Sequence, residues 1–334
     1  MAEIVPVSGF SDRVRLSSVL PLDTPFTLNV FPTNLCNFWC IYCAQSQGYD
    51  HLMTQYGINR DSMSPSTMEK IVDQCQDFPG KIKLVSFMGH GEPLLNRHLP
   101  EMIRMVRDAA IADRIEVITN ASLLTHDLSD ALIGAGLTNI RISLQGVNSE
   151  SYERICKRKI DYNTLMDEIR YYFRKKTRGG VFVKVMDIAL AEGEDRIFFE
   201  QYDSISDRMF IEKVMPVYKG VPTGAGADLA TDRYGNYHPH RKVCPLPFFS
   251  LSVWPDGRVT PCDAIYQPVI LGNVADRSLE SMWNGKIRKM FLQDQLAGHR
   301  GSIPGCCDCC APDDVSHPLD VLDDDAGLLM KKYI

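Results

Sequence analysis

The sequence predicts an α/β fold: an open or partial barrel of six parallel strands, followed by a small second domain of mixed α and β structure. Three observations predict it. From residue 26 to 217, strand-like and helix-like runs alternate, the pattern of βαβ units around a parallel sheet. The cysteines fall into two groups, Cys36, Cys40 and Cys43 at the start of that region and six more between 244 and 310. Between them, residues 218–243 read as a connector, punctuated by Gly220, Pro222, Gly224, Gly226, Gly235 and Pro239 with no clear period.

The elements follow in order. Strands are expected at 26–31, 83–88, 114–119, 139–143, 181–190 and 209–215, and helices at 65–78, 99–110, 127–135, 149–157, 162–175 and 195–205. Ser64 is placed to cap the first of these helices, with Pro65 at its first position. Six strands spaced by helices suit a barrel better than a small flat sheet. After Cys244 the style changes. Phe248–Trp254 and Arg258–Pro261 read as a hairpin around Pro255-Asp256-Gly257, a strong turn signal. Leu271-Gly272-Asn273 then leads into a helix over 278–291. The expected division is an extension at 1–25, a barrel at 26–217, the connector, an auxiliary domain at 244–312 and a loosely packed acidic tail at 313–334. His238 and His240 flank Pro239 in the connector and read as part of a solvated loop.

Composition narrows the function. Of 334 residues, 45% are hydrophobic and 23% charged, ordinary for a soluble protein. The net charge of −6 argues against a broad nucleic-acid surface. No run approaches the roughly 20 apolar residues of a membrane span. The opening Met1-Ala2-Glu3-Ile4-Val5-Pro6 has no basic stretch leading into an apolar one, so no secretion signal is expected. Eleven cysteines in such a chain point to the reducing cytoplasm, where cysteine clusters bind metals or catalyse rather than form disulfides.

Cys36, Cys40 and Cys43 form a C-x3-C-x2-C loop directly after the first strand. Three thiolates from one loop suit a multi-iron cluster, and a four-iron cluster normally takes four. A loop with three leaves one iron open. A zinc site would need a fourth ligand, and the nearest is His51. Three further strand ends carry polar or glycine-rich segments: Gly89-His90-Gly91-Glu92-Pro93, Thr119-Asn120 and Ser143-Leu144-Gln145. Strand carboxyl ends are where α/β folds build their sites, so these segments are expected to share one pocket.

Over about 26–216 this combination resembles the radical S-adenosylmethionine (SAM) superfamily. The resemblance implies that Cys36, Cys40 and Cys43 hold a [4Fe-4S] cluster whose open iron is chelated by SAM. It implies that Tyr42 packs near the adenine and that Gly89, Gly91 and Glu92 form the SAM amino-group motif. In that motif His90 stands where a second glycine is usual. Asn120, Ser143, Gln145 and Lys184 are carried over to ribose or carboxylate contacts, against the plainer reading that they cap helices or satisfy backbone. Residues 244–312 resemble the SPASM or twitch extension of the same superfamily. This implies an auxiliary [4Fe-4S] cluster on Cys244, Cys262 and one C-x2-C pair of Cys306-Cys307-Asp308-Cys309-Cys310. Pro304-Gly305-Cys306 favours Cys306 with Cys309, and Cys307 with Cys310 has the same spacing. Paired cysteines alone also fit a zinc ribbon.

The resemblance implies reductive cleavage of SAM to a 5′-deoxyadenosyl radical that takes a hydrogen from a small-molecule substrate, with a flavodoxin or ferredoxin as reducing partner. The reading adopted is a dehydrogenase that oxidises an alcohol of a sugar or aminocyclitol and passes an electron to the auxiliary cluster. Three alternatives stand beside it: an epimerase with Cys156 as hydrogen donor, a ribosomal-peptide-modifying enzyme, and a metal-binding scaffold without catalysis.

Overall fold

The computed structural model describes residues 1–6, 13–223, 229–315 and 317–333. Residues 224–228 of the expected connector lie outside that set.

Ten strands form one sheet. They are β1 (Glu3–Ile4), β2 (Thr27–Val30), β3 (Ile82–Phe87), β4 (Ala112–Thr119), β5 (Asn139–Leu144), β6 (Gly180–Met186), β7 (Arg208–Glu212), β8 (Ser250–Val253), β9 (Arg258–Thr260) and β10 (Gly272–Asn273). Their order is β1-β7-β6-β5-β4-β3-β2-β8-β9-β10. The six expected barrel strands are therefore consecutive neighbours, and every pairing among them is parallel. Helices stand where the sequence placed them: α1 (Leu16–Val19), α2 (Tyr49–Tyr56), α3 (Pro65–Cys75), α4 (Leu99–Asp108), α5 (His126–Ala135), α6 (Ser149–Cys156), α7 (Tyr162–Lys175) and α8 (Glu194–Tyr202), the short α1 and α2 being additions. Ser64 caps α3, its hydroxyl accepting from Thr67 N at 3.1 Å. Asn148 and Ser151 close a capping box on α6.

In five of the strands, apolar residues two apart share one face. Leu28 and Val30, Val85 and Phe87, Ile115 and Val117, Ile140 and Ile142, and Val183 and Val185 pack outward under the helices in one core. By the two-residue period of a strand, the inner face then carries Asn29, Ser86, Glu116, Arg141, Ser143, Lys184 and Glu212. Neighbours on that face bond to one another: Ser86 Oγ donates to Glu116 at 3.4 Å, Arg141 to the same carboxylate at 2.9 Å, and Lys184 to Glu212 at 2.6 Å. Closed (β/α) barrels fill this space with branched apolar side chains. Here polar and charged groups stand in it too.

The carboxyl-terminal part differs from the sequence reading in three ways. The hairpin does not stand apart. β8 pairs in parallel with β2, Leu28 opposite Leu251 and Val30 opposite Val253, and so extends the barrel sheet. Its expected start, Phe248, lies instead in the helical turn α9 (Leu246–Phe249). The single helix over 278–291 is two, α10 (Leu279–Trp283) and α11 (Lys286–Leu296). They break at Asn284-Gly285, where Ser281 O lies within 2.7 Å of the position a Cβ on Gly285 would take. Buried Arg288 then bonds Trp283 O at 2.9 Å and Pro247 O at 2.8 Å, fixing the bend.

The tail is not loose. After α12 (Ala311–Asp314), it ends in α13 (Ala326–Tyr333). Leu322, Leu329 and Tyr333 are buried with Leu16, Leu20, Phe248, Leu292 and Leu296. Asp324 is exposed, but Asp313, Asp314 and Asp320 are buried, Asp320 held by Arg13, while Leu322 and Leu329 close the second core. Nor is the connector wholly solvated: His238 is buried, its ring nitrogen bonding Asp313 O at 2.8 Å. Leu322→Ala is expected to lower unfolding free energy by about 3 kcal/mol, as for a leucine removed from a closed core; urea unfolding measures it, and a change within about 0.5 kcal/mol would mean the tail packs weakly.

Candidate active site

The cysteine loop follows β2 and is held from every side. Cys36 N donates to the Tyr49 hydroxyl at 2.9 Å. Glu92 N donates to Leu35 O at 2.8 Å, and Gln45 Nε2 donates to His90 O. Asn37 meets the end of β4 through Asn120 Nδ2 at 2.9 Å and Ser122 Oγ at 2.8 Å. Tyr42 OH and Cys40 Sγ both meet Gln145 Oε1 beyond β5, the thiol at 3.4 Å. The loop thus brings Tyr42, Gly91, Glu92, Asn120 and Gln145 together around the strand ends.

Two glycines are required by close approach. A Cβ on Gly91 would meet Thr33 O at 2.4 Å and Leu35 O at 2.5 Å. Gly89 has φ +135°, and a Cβ there would meet the Phe31 ring at 2.8 Å. Glu92 is buried and accepts from Leu94 N at 3.0 Å, Asn120 N at 2.8 Å and the Thr119 hydroxyl. Burial pushes its pKa up to about 6 against these donors. Asn120 caps the turn at Ser122 as well as holding Asn37, so its plainer role is present too. Ser143 lies half-buried on β5, in register with Lys184.

Two candidates sit apart from this network. Lys184 is taken by Glu212, which also faces Arg233 at 3.5 Å, and Arg233 in turn holds Asp314. Cys156 is fully buried behind the loop, its thiol donating to Tyr152 O at 2.9 Å. It belongs to the core beside Cys40, and this placement gives no support to a hydrogen donor facing a substrate.

A second site lies in the auxiliary part. A hollow with about 350 Å³ of space between its atoms, including its opening to solvent, is lined by Cys244, Cys262, Cys306 and Cys309. Cys307 is exposed and Cys310 is buried, and neither borders the hollow. Gln295, fully buried, accepts from Cys244 N at 3.3 Å and donates to Cys306 Sγ at 3.7 Å, and Ala311 N donates to Cys309 Sγ at 3.4 Å. Gln295 was illegible in the sequence, because a polar residue in a helix ordinarily faces water. Arg300, bound to Cys309 O, gave no signal either.

Both cysteine sets fit an iron–sulfur cluster. Burial raises the Cys36 thiol to about 12 and pushes Cys40 up as well, with the neighbouring cysteines adding to the shift. Cys306 is likewise raised to about 12, and Cys244 and Cys262 stand well above the ordinary value. Such thiols become thiolates only beside a strong positive charge, which iron supplies. Among the described residues, no three His, Cys, Asp or Glu side chains converge as for one metal ion. Cys244, Cys262, Cys306 and Cys309 border a hollow instead.

His90 joins the two sites. Its Nε2 lies 3.1 Å from Asp263 O, next to Cys262. Its ring stacks on Trp254 at 5.4 Å and meets Phe31 edge-on at 5.6 Å. Burial lowers its pKa to about 4.

The fold and these two cysteine sites define an iron–sulfur protein built on a SAM-binding partial barrel. The chain matches the radical SAM superfamily at 30–192 and an iron-sulfur cluster-binding domain at 244–311. It belongs to the radical SAM superfamily and carries a carboxyl-terminal SPASM domain; its cofactors are S-adenosylmethionine and [4Fe-4S] clusters. It is 34% identical over 131 residues to a probable GTP 3′,8-cyclase of Methanocaldococcus jannaschii, covering 39% of this chain and 40% of that one. It is 27% identical over 228 residues to the GTP 3′,8-cyclase of Staphylococcus haemolyticus, covering 58% and 65%. The matched part thus spans less than two thirds of those relatives. In fold it resembles SuiB of Streptococcus suis bound to S-adenosylmethionine (TM-score 0.65, 14% identity, 91% of this chain and 79% of that one). It also resembles BtrN in complex with AdoMet and 2-DOIA (TM-score 0.51, 18% identity, 86% and 91%). No helix among the described residues is long and apolar enough to cross a membrane.

Two outcomes are expected. Gly91→Ala forces the cysteine loop off its seat and costs about four irons per chain, the content of one cluster; unchanged iron would mean that the loop tolerates a Cβ. The pKa of His90 is lowered from 6.5 to about 4, so the unfolded chain binds the extra proton between these values. Stability should therefore rise with pH through that window and be lost on acidification, by up to about 3 kcal/mol. Melting temperatures across pH 4 to 7 should show a flatter profile in His90→Gln.

Proposed function

We propose that this protein is a radical SAM oxidoreductase that dehydrogenates an alcohol carbon of a sugar- or aminocyclitol-like small molecule. The observation that carries the reading is the four-cysteine hollow of Cys244, Cys262, Cys306 and Cys309, linked to the SAM loop through His90 and Asp263. When bound, the cofactors would supply a 5′-deoxyadenosyl radical to take the substrate hydrogen and an auxiliary cluster to accept the electron left behind.

The chain's residues supply the rest. Cys36, Cys40 and Cys43 hold the first cluster with one iron open. Gly89 and Gly91 let backbone approach SAM, and Glu92 locks that loop to Thr119 and Asn120. Tyr42 and Gln145 form the wall beside Cys40. The inner face mixes the Glu116–Arg141 and Lys184–Glu212 pairs with Phe182, Met186 and Phe210, polar groups for a substrate's hydroxyl or amino groups beside apolar ones for its carbon skeleton. The reducing partner is a flavodoxin or ferredoxin, and the auxiliary cluster uses Cys306 and Cys309 rather than Cys307 and Cys310.

The matches to GTP 3′,8-cyclases favour one second reading, rearrangement of a purine nucleotide. Peptide modification has a likeness of fold behind it, to SuiB bound to precursor peptide SuiA (TM-score 0.64, 14% identity).

The reconstituted protein is expected to hold about eight irons, and the triple alanine variant of Cys36, Cys40 and Cys43 about four. The pair Cys306→Ala/Cys309→Ala should lose the auxiliary four, whereas Cys307→Ala/Cys310→Ala should keep them; the reverse would exchange the ligand pair. With a polyol or aminocyclitol panel, one 5′-deoxyadenosine should form per ketone. Deuterium from solvent at the reacting carbon, without oxidation, would reject dehydrogenation. GTP consumed in step with 5′-deoxyadenosine would establish the second reading.

A further inference from the structure

The outer side of the cysteine loop carries a charged surface that the pocket chemistry does not use. Helix α6 ends at Cys156 and runs on into Lys157, Arg158 and Lys159. With Arg154 these place four cations within six residues, and no acid among them, on a chain of net charge −6. All four are exposed.

This segment is clasped to the loop. Trp39 N donates to Cys156 O and Ile41 N to Ile155 O, each at 3.0 Å. Arg158 Nε donates to Asn37 O at 3.2 Å, and its guanidinium lies 4.3 Å from the centroid of the Trp39 ring. Asn37 adjoins Cys36, and Trp39 adjoins Cys40. The basic surface is therefore one hydrogen bond from backbone beside two of the three loop cysteines.

Fold stability accounts for only part of the charge. Cations at a helix carboxyl end are favoured by the macrodipole. Arg154 and Lys157 sit there, with Arg154 NH2 bonded to Ala189 O at 3.2 Å and Lys157 Nζ to Arg154 O at 3.0 Å. Lys159 lies beyond the helix, 83% exposed, and its one ion pair, to Glu153 at 3.7 Å, is itself exposed. Such a pair contributes little. The nearby acids are otherwise occupied or remote: Asp161 caps α7, and Glu150 lies in the first turn of α6.

We propose that this basic face docks an acidic one-electron donor protein, which reduces the cluster held by Cys36, Cys40 and Cys43. The donor loses one electron and the cluster gains it; no atom is transferred. Redox partners form small, transient contacts, and complementary charge raises their encounter rate in a salt-dependent way. The position satisfies the second need of such a partner, a short covalent and hydrogen-bonded route to the iron. The proposal rests on the radical SAM chemistry above.

The test uses the reconstituted full chain and the double variant Lys157→Glu/Lys159→Glu, neither residue touching SAM or serving as a cysteine ligand. Formation of 5′-deoxyadenosine is measured with flavodoxin hydroquinone and, separately, with dithionite. The variant should need on the order of tenfold more flavodoxin for half-maximal rate at low salt, with the gap closing at about 0.5 M salt. Its dithionite-driven rate should match that of the native chain, and Lys157→Arg/Lys159→Arg should restore the flavodoxin response. An unchanged flavodoxin dependence would overturn the docking surface, as would equal losses with both reductants. A native chain that makes no 5′-deoxyadenosine even with dithionite would overturn the radical chemistry itself, and the docking proposal with it.

Discussion

The close approach of two backbone segments governs this structure. The cysteine loop passes over Gly91 with Thr33 O and Leu35 O so near that no side chain fits between. From that contact the remaining ties follow. Glu92 N bonds Leu35 O, and the Glu92 carboxylate fixes the end of β4. Asn120 returns from there to Asn37 in the loop. The circuit is closed, so the three cysteines are positioned by neighbours that are themselves positioned. A buried carboxylate is costly without donors, and three donors to Glu92 offset that cost while joining its own segment to the end of β4.

The second cysteine set depends on the same circuit at one remove. Because β8 continues the barrel sheet beside β2, the auxiliary part is an extension of the same sheet. A small core of Phe31, Ala44, Leu52, Ile58, Trp254 and Ile265 fills the seam. His90 lies at that seam, with its carbonyl bound by Gln45 and its ring by Asp263 O. Replacing the usual glycine by histidine thus gives this chain a rigid contact between the segment next to Cys43 and the segment next to Cys262. The inner face sets ion pairs such as Lys184–Glu212 beside apolar Phe182, Met186 and Phe210, while the helices cover the outer side of each strand.

Much of this was legible in the sequence. Strand and helix positions were carried by local patterns, namely period two, period 3.6, Ser64-Pro65 and Pro255-Asp256-Gly257, which act over a few residues and need no distant partner. The three-cysteine loop and the Gly89–Glu92 segment were readable for the same reason, since covalent spacing alone brings their donors together. Where the sequence failed, a long-range contact decided. The tail looked polar because its aspartates outnumber its leucines, yet Leu322 and Leu329 bury against residues about 300 positions away. Lys184 looked like a ligand contact until Glu212 was found beside it on the neighbouring strand.

By itself, then, the sequence determined the barrel, the cluster loop and the presence of a second thiol set, because each depends on spacing along the chain. Only the tertiary structure decided which of two equally spaced cysteine pairs borders the hollow, that Cys156 is core, and that His90 spans the two sites. Those outcomes depend on which way a side chain faces once distant segments pack. Spacing is identical for Cys306 with Cys309 and Cys307 with Cys310; what separates them is that the first pair lines the hollow and the second does not.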